Sequence, residues 1–226
     1  MVAVLSKELR FPSPGTANPE GLLAIGGDLS VERLLLAYRS GIFPWPLDQR
    51  LLAWFSPDPR AILELDELHV SRSLAKRIRR ADFELRISTA FEEVVRACAA
   101  TSERRSSTWI IPQMVAAYSR LHALGHAHSV EVWRGPDLLG GLYGVTMGGF
   151  FAGESMFTRE TDASKIALVG LVERMKHRGM SLLDVQVPNP HLERLGIRQI
   201  TRAVYLRRLA AALAQPVRFV DPSETH

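Results

Sequence analysis

Hydrophobic and polar residues follow a strand-like pattern in two short segments of the chain. In the first, residues 140–157, two apolar runs flank Gly148-Gly149. Because glycine adopts the positive φ of a tight turn without steric cost, this segment predicts a β-hairpin. The second segment, residues 182–187, places Asp184 and Gln186 on one face of a strand, since strand side chains repeat every two residues. Burying an acid and an amide is costly, so the two either satisfy each other structurally or meet a substrate.

The order of the predicted elements gives the fold class. Three closely spaced strands form an antiparallel meander, which is followed by an amphipathic helix at 163–178 and by the strand at 182–187. This order is typical of an α/β (α+β) domain of the N-acyltransferase-like type, in which the central sheet splays at the reaction site. A short strand at 61–65 opens this unit. We therefore predict a small N-terminal α/β domain at 1–60 and an N-acyltransferase-like domain at 61–226.

Two tryptophans lie in proline-rich segments, GIFPW at 41–45 and WFSPDPR at 54–60. Because proline is poorly tolerated in helices and central strands, Trp45 and Trp54 are predicted to project from rigid turns. Two interpretations stay open. The rings either fill the seam between the two domains or form an aromatic platform for a base or an apolar side chain.

Composition favours an ordinary globular protein. The chain has 226 residues, of which 46% are hydrophobic and 23% charged, as in many soluble domains. No apolar run approaches the roughly 18 to 20 residues of a membrane span. We detect no secretory signal at the N-terminus. A single cysteine, Cys98, fits a reducing cytosol, and its helical spacing to Phe91 and Val94 predicts a buried hydrophobic role. We therefore expect a cytoplasmic protein without membrane contact.

Positive charge is concentrated on one predicted helix. The net charge is only +4, but four of the five cationic residues in 71–80 have a spacing that places them along one helical face. Such a stripe is either a solvated helix face or a surface that tracks a phosphate backbone. The four cations are Arg72, Lys76, Arg79 and Arg80.

Metal chemistry and several familiar catalytic arrangements are not indicated. His122, His126 and His128 cluster in sequence, but Gly125 interrupts their helix and no cysteine stands at ligand spacing. No P-loop motif and no G-x-S-x-G motif occurs. The sequence therefore predicts neither a metal site nor a serine nucleophile.

The acyl donor is predicted to differ from coenzyme A. Acetyltransferases of this fold bind the pyrophosphate of coenzyme A with a glycine-rich loop whose backbone N–H groups face the phosphates. The corresponding loop here, residues 158–165, has no glycine and carries Glu160 and Asp162. The basic stripe suggests instead a nucleic acid that carries the acyl group, and no cofactor is expected.

Several long motifs resemble one family. They are GIFPW, WFSPDPR, LGHAHSVEVW, GGLYG, GESMF, ASKIAL and DVQVPNPHL. Together they resemble the bacterial leucyl/phenylalanyl-tRNA–protein transferases over nearly the whole chain. The resemblance implies an enzyme without metal or coenzyme that moves Leu, Phe or Met from aminoacyl-tRNA to proteins with N-terminal Lys or Arg. The modified proteins are then marked for degradation through the N-end rule. A monomer is expected.

The resemblance also implies site residues. It places Trp45, Trp109 and Phe151 around the terminal adenosine of the tRNA, and it places the basic stripe under the acceptor stem. Glu154, Asp184 and Gln186 match the polar residues of the reaction centre. The apolar pocket for the amino-acid side chain is implied to consist of Leu142, Met156, Leu168, Leu171, Met175 and Leu183.

The reaction implied is aminolysis of an ester, which needs mainly positioning and a proton transfer. We expect Asp184 to hold the acceptor α-ammonium and to help deprotonate it, either directly or through Gln186, and we expect Gln186 also to donate to the developing oxyanion. Glu154 would shape this network or bind the acceptor's basic side chain. In a rival mechanism the hydroxyl of the tRNA takes the proton. Three alternative functions stay open: leucyl transfer to N-terminal Asp or Glu, coenzyme A-dependent N-acetylation, and non-catalytic tRNA binding.

Overall fold

The computed structural model describes residues 2–103 and 109–221 and contains two β-sheets. Its strands are β1 (Ala3–Leu5), β2 (Leu22–Gly26), β3 (Phe43–Pro46), β4 (Leu52–Phe55), β5 (Arg60–Leu63), β6 (Glu84–Ile87), β7 (Ala127–Arg134), β8 (Asp137–Met147), β9 (Phe150–Thr158), β10 (Leu182–Gln186) and β11 (Ile197–Ile200). Its α-helices are α1 (Val31–Arg39), α2 (Arg72–Arg80), α3 (Phe91–Glu103), α4 (Pro112–Ala123), α5 (Ala163–His177), α6 (Pro190–Glu193) and α7 (Arg202–Leu213).

The smaller sheet has the strand order β1-β2-β4-β3 and corrects one prediction. Trp45 lies in β3 and Trp54 in β4, so both tryptophans belong to strands and not to turns. Strand β3 tolerates Pro44 and Pro46 because it lies at the sheet edge, where one side of the strand forms no ladder bonds. Trp54 is fully buried, and its indole N–H donates to the carbonyl of Gly26 (2.9 Å).

The larger sheet has the order β11-β5-β10-β9-β8-β7-β6 and confirms the predicted α/β class. Strands β7, β8 and β9 form the antiparallel meander, and the turn between β8 and β9 uses the positive φ of Gly148 (54°). Helix α5 then crosses over to β10, which pairs with β9 in parallel. The meander, the helix and the strand thus follow the N-acyltransferase-like order expected from the sequence.

The sheet opens between β9 and β10. Their parallel pairing joins Leu182–Asp184 to Phe150–Ala152 and ends there. On its other side β10 pairs with β5 through a register shift between Asp184 and Gln186, and Gln186 has a φ of 64°. Such a bulge bends a strand and redirects a side chain, so β10 turns away from β9 at this point.

Hydrophobic cores cover both faces of the larger sheet. Helices α2 and α5 pack on one face. Helices α1, α3, α4 and α7 lie in a second cluster on the other face, which also includes Leu23 and Trp54 of the smaller sheet. The two sheets therefore share one core, and the domain boundary at residue 60 stays a prediction. None of the helices in the described ranges has the length and apolar character needed to cross a bilayer.

Candidate active site

A cavity of about 620 Å³ lies where β9 and β10 diverge. Its apolar wall comes from β8, β9, α5 and β10 and contains five of the six side chains predicted for the pocket. The sixth, Met175, is fully buried in the same hydrophobic cluster but lies outside the cavity wall. The five lining residues are Leu142, Met156, Leu168, Leu171 and Leu183.

Two half-buried tryptophans form another part of the wall. Trp45 from the edge strand β3 and Trp109 from the segment before α4 stack with ring centroids 5.2 Å apart and an interplanar angle of 21°. Phe151, which was predicted beside them, is elsewhere. It is fully buried, and its ring packs on Phe219 at 5.2 Å in the core shared with α5. The pairing of β9 with β8 and β10 determines which face of the sheet the Phe151 side chain occupies, and the sequence motif did not contain that information.

Glu154 places a carboxyl group at the cavity wall. The Tyr118 hydroxyl donates to its Oε2 (2.8 Å), and the Gln186 side-chain amide donates to its Oε1 (2.7 Å). The hydroxyl of Tyr118 also lies 2.6 Å from that of Tyr38. Burial raises the pKa of Glu154 to about 7, with a smaller rise from the charge of Asp184, while the hydrogen bonds from its neighbours lower it.

Asp184 is fully buried and lies behind the cavity wall, not on it. Its carboxylate accepts four hydrogen bonds. Two come from Arg60, from Nε to Oδ1 (2.8 Å) and from Nη2 to Oδ2 (2.6 Å). The Tyr205 hydroxyl donates to Oδ2 (2.8 Å), and the backbone N–H of Gln186 donates to Oδ1 (2.9 Å). Asp184 thus holds the bulge that turns Gln186 toward Glu154.

Arg60 balances the charge of Asp184. Its guanidinium lies between the rings of Phe43 (4.7 Å) and Tyr205 (4.5 Å), and Nη1 donates to the carbonyl of Gly41 (3.2 Å). Burial is the largest single effect on the pKa of Arg60 and would lower it, but the charge of Asp184, the charge of Tyr205 and the hydrogen bond to Asp184 together raise it. The aromatic faces add cation–π attraction to the ion pair.

Sequence reasoning missed Arg60, Tyr205, Tyr38 and Tyr118. The sequence did contain an indication of the role of Arg60. Arg60 is the first residue of an otherwise apolar strand, and a cation buried in a strand requires a buried anion. The only sequence hint for the tyrosines was that they lie on the apolar faces of their helices.

The basic stripe lies on α2, as predicted, and is solvent-exposed. The hydroxyl of Ser71 caps the helix by accepting the backbone N–H of Leu74 (3.2 Å). On the same helix Arg77 is tied to Asp82 and Glu160. The four exposed cations of the stripe are Arg72, Lys76, Arg79 and Arg80.

The clustered histidines bond to backbone groups. His122 Nδ1 lies 2.8 Å from the carbonyl of Ala127, and His128 Nε2 lies 3.2 Å from that of Gly125. Burial lowers the pKa of His128 to about 4. Across the residues that the structure describes, no three potential ligands converge on a metal-sized site.

Two protein-family models match this chain. Residues 62–210 match the family model described as leucyl/phenylalanyl-tRNA protein transferase, and residues 27–58 match the model of that family's N-terminal domain. The chain belongs to this family. The motif-based resemblance is thereby confirmed, and the protein is an aminoacyltransferase.

Relatives cover almost the whole chain. A leucyl/phenylalanyl-tRNA–protein transferase of Anaeromyxobacter sp. (strain Fw109-5) is 53% identical over 213 residues, which are 94% of this chain and 91% of the relative. The enzyme of the same name from Thiobacillus denitrificans is 54% identical over 208 residues, 91% of either chain. Among solved structures, L-PGS from Bacillus licheniformis has a TM-score of 0.42 at 15% identity, covering 74% of this chain and 54% of that one. That likeness is too weak to bear on function.

Proposed function

We propose that the protein transfers Leu, and also Phe and Met, from aminoacyl-tRNA to the N-terminal amine of proteins that begin with Lys or Arg. The observation that carries this proposal is one cavity that combines an apolar pocket, a tryptophan pair and a buried acid–amide pair. The transferred residue would mark the acceptor for N-end-rule degradation. We further propose that the enzyme acts in the cytoplasm as a monomer without a coenzyme.

The tryptophan pair is proposed to hold the terminal adenosine of the tRNA. Trp45 and Trp109 already stack on each other, so a base laid against their exposed side would extend the stack. Stacking of a base on an aromatic ring is worth about 1–3 kcal/mol. Phe151 contributes to this arrangement only through the packing of the core behind the sheet.

The apolar wall is proposed to select the transferred amino acid by shape. Leu168 and Leu171 of α5 line the cavity together with Leu183 of β10. Side chains unbranched at Cβ (Leu, Phe, Met) would enter, whereas Ile and Val would clash near Cβ. Shape is required because one methylene group in an apolar pocket discriminates by only about 1–3 kcal/mol.

The polar groups are proposed to serve ester aminolysis. The Gln186 side chain lies on the cavity wall and would donate to the oxyanion that forms at the ester carbon. Of the two routes predicted for Asp184, direct or through Gln186, we propose the second, in which Asp184 positions Gln186, because four hydrogen bonds occupy its oxygens and it does not line the cavity.

The exposed stripe on α2 is proposed to contact the tRNA acceptor stem. Each lost phosphate contact should reduce the slope of log binding constant against log salt by about 1. We expect this change for Arg79→Ala. The matched control is Arg207→Ala, which removes an exposed arginine from α7, and it should leave the slope unchanged.

The proposed function is tested with leucyl-tRNA carrying labelled leucine and two peptides that differ only in an N-terminal Arg or Asp. Label on the Arg peptide alone, lost after RNase treatment of the donor, is the expected result. Label on the Asp peptide would overturn the acceptor assignment and retain the chemistry. No label on either peptide, together with tRNA binding, would favour the non-catalytic alternative.

A further inference from the structure

Two acids lie next to each other at the reaction centre, and they differ in charge balance. Asp184 forms a two-point ion pair with Arg60 and is fully buried. Glu154 lies on the cavity wall and has hydroxyl and amide donors around it. Among the side chains that the structure describes, no lysine, arginine or histidine forms a salt bridge with Glu154, whereas Arg60 pairs with Asp184.

This inference rests on the proposed function and assigns its proton acceptor. We propose that Glu154, and not Asp184, removes the proton from the α-ammonium of the acceptor. The N–H proton passes to the Glu154 carboxylate, and the freed nitrogen pair attacks the ester carbon. The carbon–oxygen ester bond then breaks, and the second proton lost by the nitrogen ends on the ribose oxygen. Glu154 returns its proton to solvent through the cavity.

The geometry leaves room for this step. The carboxylate of Glu154 accepts hydrogen bonds from Tyr118 and Gln186, and the hydroxyl of Tyr38 also acts on it and lowers its pKa. A carboxylate offers about four lone-pair sites, so at least one stays open. An incoming ammonium can therefore bind without displacing any of these neighbours. A cation entering beside an uncompensated acid is also favoured electrostatically, while the Arg60–Asp184 pair already has no net charge.

The proton affinity of Glu154 suits the transfer. Burial raises its pKa to about 7, close to the roughly 7.7–8.0 of a free α-amine. Transfer between groups of similar pKa has little uphill cost, and a base is most effective when its pKa lies near the working pH. The titratable or charged groups that surround Glu154 come from α1, α4, β8, β10 and β5. They are Tyr38, Tyr118, Tyr143, Asp184 and Arg60.

The test compares Glu154→Gln and Asp184→Asn on two acceptors. One is an ordinary Arg peptide, and the other carries an aminooxy group in place of the α-amine. The aminooxy nitrogen is uncharged at neutral pH, so no ammonium proton has to be removed. Transfer of labelled leucine and the binding of leucyl-tRNA are measured for each variant, with unfolding curves to establish that the chain is folded.

We expect Glu154→Gln to lose at least about 100-fold in transfer to the amine and less than about 10-fold to the aminooxy acceptor, since a general base contributes roughly 10²- to 10⁴-fold. Asp184→Asn should lower both transfers by the same factor. The wild-type kcat/KM on the amine should rise with pH through about 7, and this limb should be absent in Glu154→Gln.

Equal losses on both acceptors for Glu154→Gln would overturn the proposal and make Glu154 an orienting group. Rescue of Asp184→Asn by the aminooxy acceptor would overturn it in favour of Asp184. If Asp184→Asn does not fold, the proposal is still tested by Glu154→Gln, through the ratio of its loss of transfer to the amine to its loss of transfer to the aminooxy acceptor. Transfer by the wild type to the Arg peptide is scored separately, so a failure of this proposal remains distinct from a failure of the proposed function.

Discussion

The two acids of the buried polar network, Asp184 and Glu154, differ in whether a neighbouring cation compensates their charge. In one half, Asp184 is enclosed by Arg60 and Tyr205 and retains a full set of hydrogen bonds. In the other, Glu154 contacts Tyr118, Tyr38 and Gln186, and none of the described side chains supplies a cation that pairs with it. A compensated acid fixes geometry, whereas an uncompensated acid at a cavity wall is free to exchange a proton. Two neighbouring strands of one sheet thus carry a compensated carboxylate, Asp184 of β10, and an uncompensated one, Glu154 of β9.

The largest expected effect on stability comes from breaking the ion pair between Arg60 and Asp184. Arg60→Met removes the cation and leaves Asp184 buried and unpaired. Removing one partner of a buried pair costs about 3–5 kcal/mol. We therefore expect the free energy of unfolding, measured with urea at pH 7, to fall by about this amount.

A double variant provides the control for that experiment. Arg60→Met with Asp184→Leu removes both charges and should regain most of the lost stability, because a well-packed apolar pair often matches a buried ion pair. It should not regain activity, since the hydrogen bond that holds Gln186 is lost with the carboxylate. If Arg60→Met alone is as stable as the wild type, the pair does not have the structural role assigned to it.

Much of this site could be predicted from the chain. The alternation around Asp184 and Gln186 correctly predicted a strand with buried polar side chains. It did not predict that the two side chains would serve different halves of the network. That difference follows from the bulge and the positive φ of Gln186, which depend on pairing with β5 and have no local signature.

The misplaced residues share a physical cause. Phe151 and Met175 were assigned from motifs, which identify positions without specifying which atoms reach the cavity surface. Both are fully buried in the core that supports the wall. Trp45 was predicted in a turn because of its flanking prolines, and an edge strand accommodates them equally well.

The pH dependence of the free energy of unfolding tests whether Glu154 is buried without a compensating cation. The pKa of Glu154 is raised from 4.5 to about 7 in the folded state, so the folded chain binds a proton that the unfolded chain has lost. Stability from this group is fully present below pH 4.5, falls as the pH rises toward 7, and is absent above it. The loss is on the order of 3 kcal/mol, since one pKa unit corresponds to about 1.4 kcal/mol.

Subtracting the free energy of unfolding of Glu154→Gln from that of the wild type isolates the contribution of Glu154 from the contributions of the other carboxylates. Urea unfolding of the wild type and of Glu154→Gln, repeated from pH 4.5 to pH 8, should give a difference that changes steadily up to about pH 7 and is then constant. A difference that is independent of pH would mean that Glu154 titrates at its ordinary value. The charge contrast with Asp184 would then disappear.

The smallest effects concern the two tyrosines beside Glu154. Tyr118→Phe removes the hydroxyl that donates to the carboxylate and that bonds to the hydroxyl of Tyr38, which should cost about 1–3 kcal/mol. Because that hydrogen bond lowers the pKa of Glu154, its loss should also move the pH at which the stability difference levels off upward. Tyr38→Phe keeps the bond from Tyr118 to Glu154, so it should cost less and move that pH less. Urea unfolding across the same pH range measures both effects. Equal shifts for the two variants would show that Tyr38 acts on Glu154 as strongly as Tyr118 does, and that the network does not run through Tyr118.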